Sequence, residues 1–155
     1  MKKIASFTVD HLRLEKGLYV SRIDEKAGMK VTTFDLRMRT PNKEPVIDVP
    51  ALHTLEHLGA TFLRNSDAQD EVIYVGPMGC RTGFYLVMFD ELDSAAVYPL
   101  VKAMLEFIIS YQGEIPGARM AECGNYSEQN LAMAKYYARI YYDELTKEKR
   151  FTYPK

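Results

Sequence analysis

Between Met29 and Arg39 the chain alternates: Thr32, Phe34, Leu36 and Met38 fall on one parity, and Val31, Thr33, Asp35, Arg37 and Arg39 on the other. A strand turns successive side chains to opposite faces, so this stretch demands a sheet with one apolar and one polar face. The apolar face must then be covered. Ile4–Val9 and Gly17–Ile23 share the β-branched and aromatic bias of strands, so the first 40 residues read as sheet. The break at Thr40-Pro41-Asn42-Lys43 ends the run.

Helices supply the cover. One begins near Pro50, a residue suited to the first helical position, with Asp48 available just ahead. It runs Ala51–Arg64, and Leu55, Leu58 and Phe62 form its core stripe. Strands at Glu71–Val75 and Gly83–Phe89 follow, flanking the turn-forming Gly76-Pro77-Met78-Gly79-Cys80-Arg81-Thr82-Gly83. Asp93 is placed to cap a second helix that continues to Tyr111 and stops at Gly113. Pro99 inside that span implies a kink or a later start. A third helix is expected from about Tyr126 to Lys147, capped at Asn125. The order β-β-β-α-β-β-α-α specifies an α+β fold, a mostly antiparallel sheet with helices packed against it.

The 155 residues contain no repeat and no Gly/Ser/Pro linker, so residues 1–155 are expected to form a single domain. Twenty Lys and Arg against 21 Asp and Glu leave a net charge of −1. That balance gives no electrostatic footprint for nucleic acid or an acidic membrane. The longest apolar stretch, Ala95–Tyr111, is broken by Pro99, Lys102 and Glu106 and is too interrupted to span a bilayer. The N-terminal residues lack the continuous apolar core of a signal peptide. A cytoplasmic location follows as the expectation, with Cys80 and Cys123 as reduced thiols.

Those two cysteines and three histidines carry the chemistry. His53-Thr54-Leu55-Glu56-His57 lies on the first long helix, and a four-residue spacing puts both imidazoles on one face. That geometry suits a shared metal ion, with Glu56 within reach of a bound water or substrate. The bland alternative is a surface histidine pair. A third ligand must come from His11, Cys80, Cys123 or a carboxylate. Cys123 is favoured, because Glu122-Cys123-Gly124-Asn125 is expected just ahead of the third helix, whose N-terminus stabilises a thiolate. Cys80 sits in a glycine-flanked turn beside Arg81. It reads either as a small packed residue or as a thiolate that moves protons.

Taken together, His53-Thr54-Leu55-Glu56-His57, the stretch Gly76 to Tyr85 and Cys123-Gly124 resemble S-ribosylhomocysteine lyase, in the same order. Ser6-Phe7-Thr8-Val9-Asp10-His11 and Phe34-Asp35-Leu36-Arg37 extend that resemblance over nearly the whole chain. The resemblance implies that His53, His57 and Cys123 hold ferrous iron, which zinc or cobalt can replace, with one position open. It implies Glu56 and Cys80 as the acid–base pair, and Ser6, His11 and Arg37 as walls of a substrate pocket at a homodimer interface. One departure stands out: the family often reads Asp-Ile-Ser-Pro where this chain has Tyr74-Val75-Gly76-Pro77.

The implied reaction belongs to the activated methyl cycle and supplies the precursor of a quorum-sensing autoinducer. It moves the ribose carbonyl from C1 to C2 and then C3, and eliminates homocysteine from C5 to leave 4,5-dihydroxy-2,3-pentanedione. Each shift needs a proton removed from one carbon and one returned to its neighbour, which a pair of acid–base groups provides. Two rivals come from other classes. One is a metallopeptidase using Glu56 on a metal-bound water. The other is a non-catalytic module in which Cys80 closes a four-ligand shell.

Overall fold

The computed structural model describes residues 3–154. Its elements are β1 (Gly17–Lys26), β2 (Met29–Arg37), α1 (Val49–Arg64), β3 (Val72–Pro77), β4 (Gly83–Phe89), α2 (Ser94–Ser110) and α3 (Leu131–Glu148), after a 3₁₀ turn at Ala5–Phe7. The four strands form one antiparallel sheet in the order β1-β2-β4-β3. Phe34, Leu36, Leu86 and Met88 turn their side chains from its apolar face into a core shared with all three helices. Leu55 and Leu58 of α1, Leu105 and Ile108 of α2, and Ala138 and Tyr141 of α3 meet them there. The expected α+β architecture is the one observed.

The helix starts follow their caps. Asp48 Oδ2 accepts from the Ala51 N–H at 3.2 Å and Asp93 Oδ1 from the Ala96 N–H at 2.7 Å. Pro99 therefore lies inside α2 without delaying its start.

Three expectations need correction. Ile4–Val9 is no strand: its backbone closes into the 3₁₀ turn, with the Phe7 N–H donating to the Ile4 carbonyl at 3.0 Å, and the C-terminal segment meets the start of β1, where the Leu18 N–H donates to the Arg150 carbonyl at 2.9 Å. The third helix starts at Leu131 and not near Tyr126. Asn130 is the cap, accepting from the Met133 N–H at 3.0 Å, while the Asn125 side chain is engaged with Glu128. Cys123 thus lies in a turn well ahead of α3, and its place owes nothing to a helix N-terminus.

The polar face of the sheet is also unlike an ordinary solvated one. Asp35, Arg37 and Arg39 are 1%, 4% and 8% exposed. A register shift between Val20 and Arg22 brings Arg22 opposite Thr33, so β1 adds polar side chains to this same face. The N-terminal turn and the C-terminal Tyr153 then roof part of it. Alternation predicted the parity correctly, but it could not report that distant segments cover the polar side.

Candidate metal centre and the pocket behind the sheet

α1 carries His53 and His57 one turn apart on a half-buried face. The His53 Nδ1 lies 2.9 Å from the Glu128 carbonyl, and the His57 Nδ1 lies 2.7 Å from the Pro116 carbonyl. A carbonyl only accepts, so both Nδ1 atoms carry the proton and both Nε2 atoms are left with lone pairs. Those two Nε2 atoms face each other at 2.9 Å, and Cys123 Sγ stands 3.4 Å from the His53 Nε2. Nitrogen lone pairs aimed at one another repel, and a cation between them removes the conflict. All three ligand atoms lie within 4.8 Å of one another. A His₂Cys donor set fits a divalent transition metal with one coordination position left open.

Backbone and side-chain bonds hold this arrangement. Gly117 has φ +72, and a side chain there would stand 3.1 Å from the His57 Nδ1, so glycine lets the Pro116 carbonyl close on the ring. Thr54, on α1, donates to Gln129 Oε1 at 2.7 Å and accepts from the Asn130 N–H at 2.9 Å. These bonds tie the helix to the segment that brings Cys123. The Asn125 N–H donates to Cys123 Sγ at 3.4 Å. Glu56 lies beside the triad as a wall of the same open cleft, of about 500 Å³, and is not among the clustered ligands.

The remaining predicted residues assemble elsewhere. Ser6, His11 and Arg37 line a separate pocket of about 130 Å³, together with Asp35, Tyr85 and Tyr153. Asp35 and Tyr85 are directly opposed across β2 and β4, on the face turned away from α1. Arg37 donates through Nη2 to Asp35 Oδ2 at 2.6 Å and through Nη1 to Thr82 Oγ1 at 2.7 Å. Burial opposes the Arg37 cation, but Asp35 outweighs it and holds the guanidinium above its ordinary pKa. Burial pushes the Asp35 carboxyl up, against the pull of Arg37 and the Tyr153 hydroxyl.

Cys80 is exposed on the β3–β4 loop, and its Sγ lies 3.2 Å from Thr82 Oγ1. It belongs to the Arg37 side of the molecule and is absent from the ligand cluster among the described residues. The closed four-ligand shell is therefore not what the geometry builds.

Sequence reasoning named neither Asp35, Tyr85 nor Tyr153 as pocket residues. The Asp35–Arg37 spacing on one strand face was the available signal; nothing local marked Tyr153. At the departure noted above, Tyr74 and Gly76 act as a pair. A Cβ on Gly76 would stand 1.9 Å from the Tyr74 hydroxyl, so the tyrosine ring occupies the space a residue larger than glycine would need. Tyr74 lines a neighbouring recess of about 330 Å³ that shares Ser6, Ser21 and Tyr85 with the Arg37 pocket.

Comparison with known proteins bears on this geometry directly. The family model S-Ribosylhomocysteinase (LuxS) matches residues 4–152. The chain belongs to the S-ribosylhomocysteinase family. A Finegoldia magna protein named S-ribosylhomocysteine lyase is 50% identical over 156 residues, covering 99% of each chain. Proteins of the same name from Clostridium acetobutylicum and Borreliella burgdorferi are 49% and 48% identical, over 99% of this chain and 99% and 100% of theirs. The match to the S-ribosylhomocysteinase family spans every helix and strand that carries the His₂Cys cleft and the pocket behind the sheet, and stops one residue short of Tyr153.

Proposed function

We propose that the protein is a carbon–sulfur lyase that cleaves S-ribosylhomocysteine to homocysteine and 4,5-dihydroxy-2,3-pentanedione, the autoinducer precursor of the activated methyl cycle. The observation that carries this reading is the pair of Nε2 lone pairs converging with a cysteine sulfur, in a chain of the S-ribosylhomocysteinase family. His53, His57 and Cys123 hold one divalent metal, ferrous iron, for which zinc or cobalt can substitute. When bound, the metal supplies Lewis-acid polarisation of the sugar oxygens.

The chain's own groups move the protons. Two shifts carry the carbonyl from C1 to C2 and then to C3, each removing a proton from one carbon and delivering one to its neighbour. Elimination takes the C4 proton and expels the homocysteine sulfur from C5. Cys80 serves the first transfers and Glu56 the later ones, including elimination. A positioned acid–base group contributes about 10²–10⁴-fold per step. Arg37, fixed between Asp35 and Thr82, forms a wall of the substrate pocket, with Ser6 and His11 beside it.

The His₂Cys cleft and the Arg37 pocket share no lining residue, and the pocket opens on the sheet face turned away from α1. This supports a homodimer, in which the pocket of one copy completes the metal cleft of the other. No described helix is long and apolar enough to cross a membrane, and both cysteines are free thiols. We place the enzyme in the cytoplasm, as one domain.

The deciding experiment is an anaerobic assay of the iron-loaded protein with S-ribosylhomocysteine, following the appearance of the homocysteine thiol. Stoichiometric thiol release supports the assignment. Peptide hydrolysis without thiol release would replace it with the metallopeptidase reading.

A further inference from the structure

Four side chains link the C-terminal segment to Cys80. The Tyr153 hydroxyl donates to Asp35 Oδ2 at 2.8 Å, and that same oxygen receives Arg37 Nη2 at 2.6 Å. Arg37 Nη1 donates to Thr82 Oγ1 at 2.7 Å, which lies 3.2 Å from Cys80 Sγ. We propose that Tyr153 is a positioning residue for the proton-transfer chemistry, acting through Asp35, Arg37 and Thr82 on Cys80. This inference rests on the reading of Arg37 and Cys80 given above.

Each link has a physical reason. The Tyr153 ring stacks on Tyr19 with centroids 4.6 Å apart and planes 18° off parallel, so the hydroxyl is delivered by a fixed ring. Burial and the Asp35 carboxylate push the Tyr153 pKa up, so the phenol stays protonated and remains a donor at neutral pH. Two donors on Oδ2 fix the plane of the carboxylate, and the carboxylate in turn sets the planar guanidinium fork. With Arg37 Nη1 occupying a lone pair of Thr82 Oγ1, the hydroxyl hydrogen is available to Cys80 Sγ. That arrangement aims a donor at the sulfur assigned to take a proton from the sugar.

Among the described residues, Asp35 Oδ1 and Arg37 Nε are buried with no hydrogen-bond partner. Without them, the pair leans all the more on Tyr153 and Thr82 for its orientation.

The test uses the metal-loaded protein and two nearly isosteric variants, Tyr153→Phe and Thr82→Val. Tyr153→Phe keeps the ring and its stack but strips one bond from the buried pair, so the thermal midpoint should drop only slightly while kcat falls about tenfold, with KM changing far less. The rate of Cys80 alkylation by iodoacetamide should fall with it. Because both residues act along one chain, the double variant should lose little more than the worse single variant. Unchanged kcat and alkylation in Tyr153→Phe, or losses that multiply in the double variant, would overturn the inference. Arg37→Met separates the two failures. If it abolishes turnover while Tyr153→Phe does nothing, only the positioning role falls; if it also turns over normally, the assignment of the pocket itself fails.

Discussion

The cleft on α1 and the pocket behind the sheet handle charge in opposite ways. In the cleft, two imidazole lone pairs and a sulfur converge, with no Lys or Arg among the described residues that line it. In the pocket, Asp35 and Arg37 neutralise each other at 2.6 Å, and Tyr153 and Thr82 bond to the outer side of the pair. The cleft leaves like-charged lone pairs facing one another, whereas the pocket pairs opposite charges and leaves only Asp35 Oδ1 and Arg37 Nε without partners among the described residues. The first should fail when a ligand is removed, and the second when its buried pair is broken.

The largest effect should come from the cleft. Replacing His57 or Cys123 by Ala removes one donor of the proposed three-ligand set, so bound metal and turnover should disappear together while the fold survives. Metal analysis beside circular dichroism checks this. Normal metal content in both variants would break the contrast at its root.

Next come the two groups assigned to move protons. Glu56→Gln and Cys80→Ser should retain stoichiometric metal and lose about 10²–10⁴-fold in turnover. They should also stall at different intermediates, which quenched-flow product analysis would separate. Loss of metal in Cys80→Ser would return the four-ligand shell to contention.

The pocket is tested through stability. Asp35→Ala strands the Arg37 charge in a site where only 4% of that residue is exposed, which costs about 3–5 kcal/mol. Urea denaturation should show that loss while metal content per folded chain stays constant. A fall in metal content as well would mean that the two regions are one cooperative unit.

The smallest expected effect lies in the loop that joins the two regions. Glu44 receives Lys16 Nζ at 2.6 Å, the Thr40 N–H, and Arg39 Nη2 at 3.0 Å. Burial pushes its carboxyl up, but these partners outweigh burial and hold its pKa below the ordinary 4.5. A carboxyl depressed on folding stabilises the protein above its unfolded pKa, and that contribution vanishes as pH falls through the lower folded value. Glu44→Gln should therefore lower stability by about 1 kcal/mol at neutral pH and show a flatter decline below pH 4.5. An unchanged acid limb in urea titrations would remove Glu44 from the account.

The sequence by itself determined the local arrangements. The spacing of His53, Glu56 and His57 needs only a helix to become a metal-binding face, and Asp48, Pro50 and the Leu55–Leu58 stripe specify that helix. The parity of Thr32 to Arg39 likewise needs only a strand. Motif order from Ser6 to Cys123 was enough to mark the family, because the elements are contiguous and their chemistry is written in neighbouring residues.

Tertiary structure decided what depends on contacts between distant residues. Ile4–Val9 has the composition of a strand, yet its backbone closes on itself from Phe7 to Ile4, and the Leu18 N–H at the start of β1 goes to Arg150. Asn125 is the expected cap of α3, but its side chain goes to Glu128, and the Asn130 N–H bond to Thr54 fixes the helix start at Asn130 instead. Tyr153 reaches Asp35 across 118 positions of chain, a separation at which no local pattern carries information. Propensity and periodicity act over a few residues, whereas the burial of Asp35 and Arg37 depends on which far segment comes to cover them.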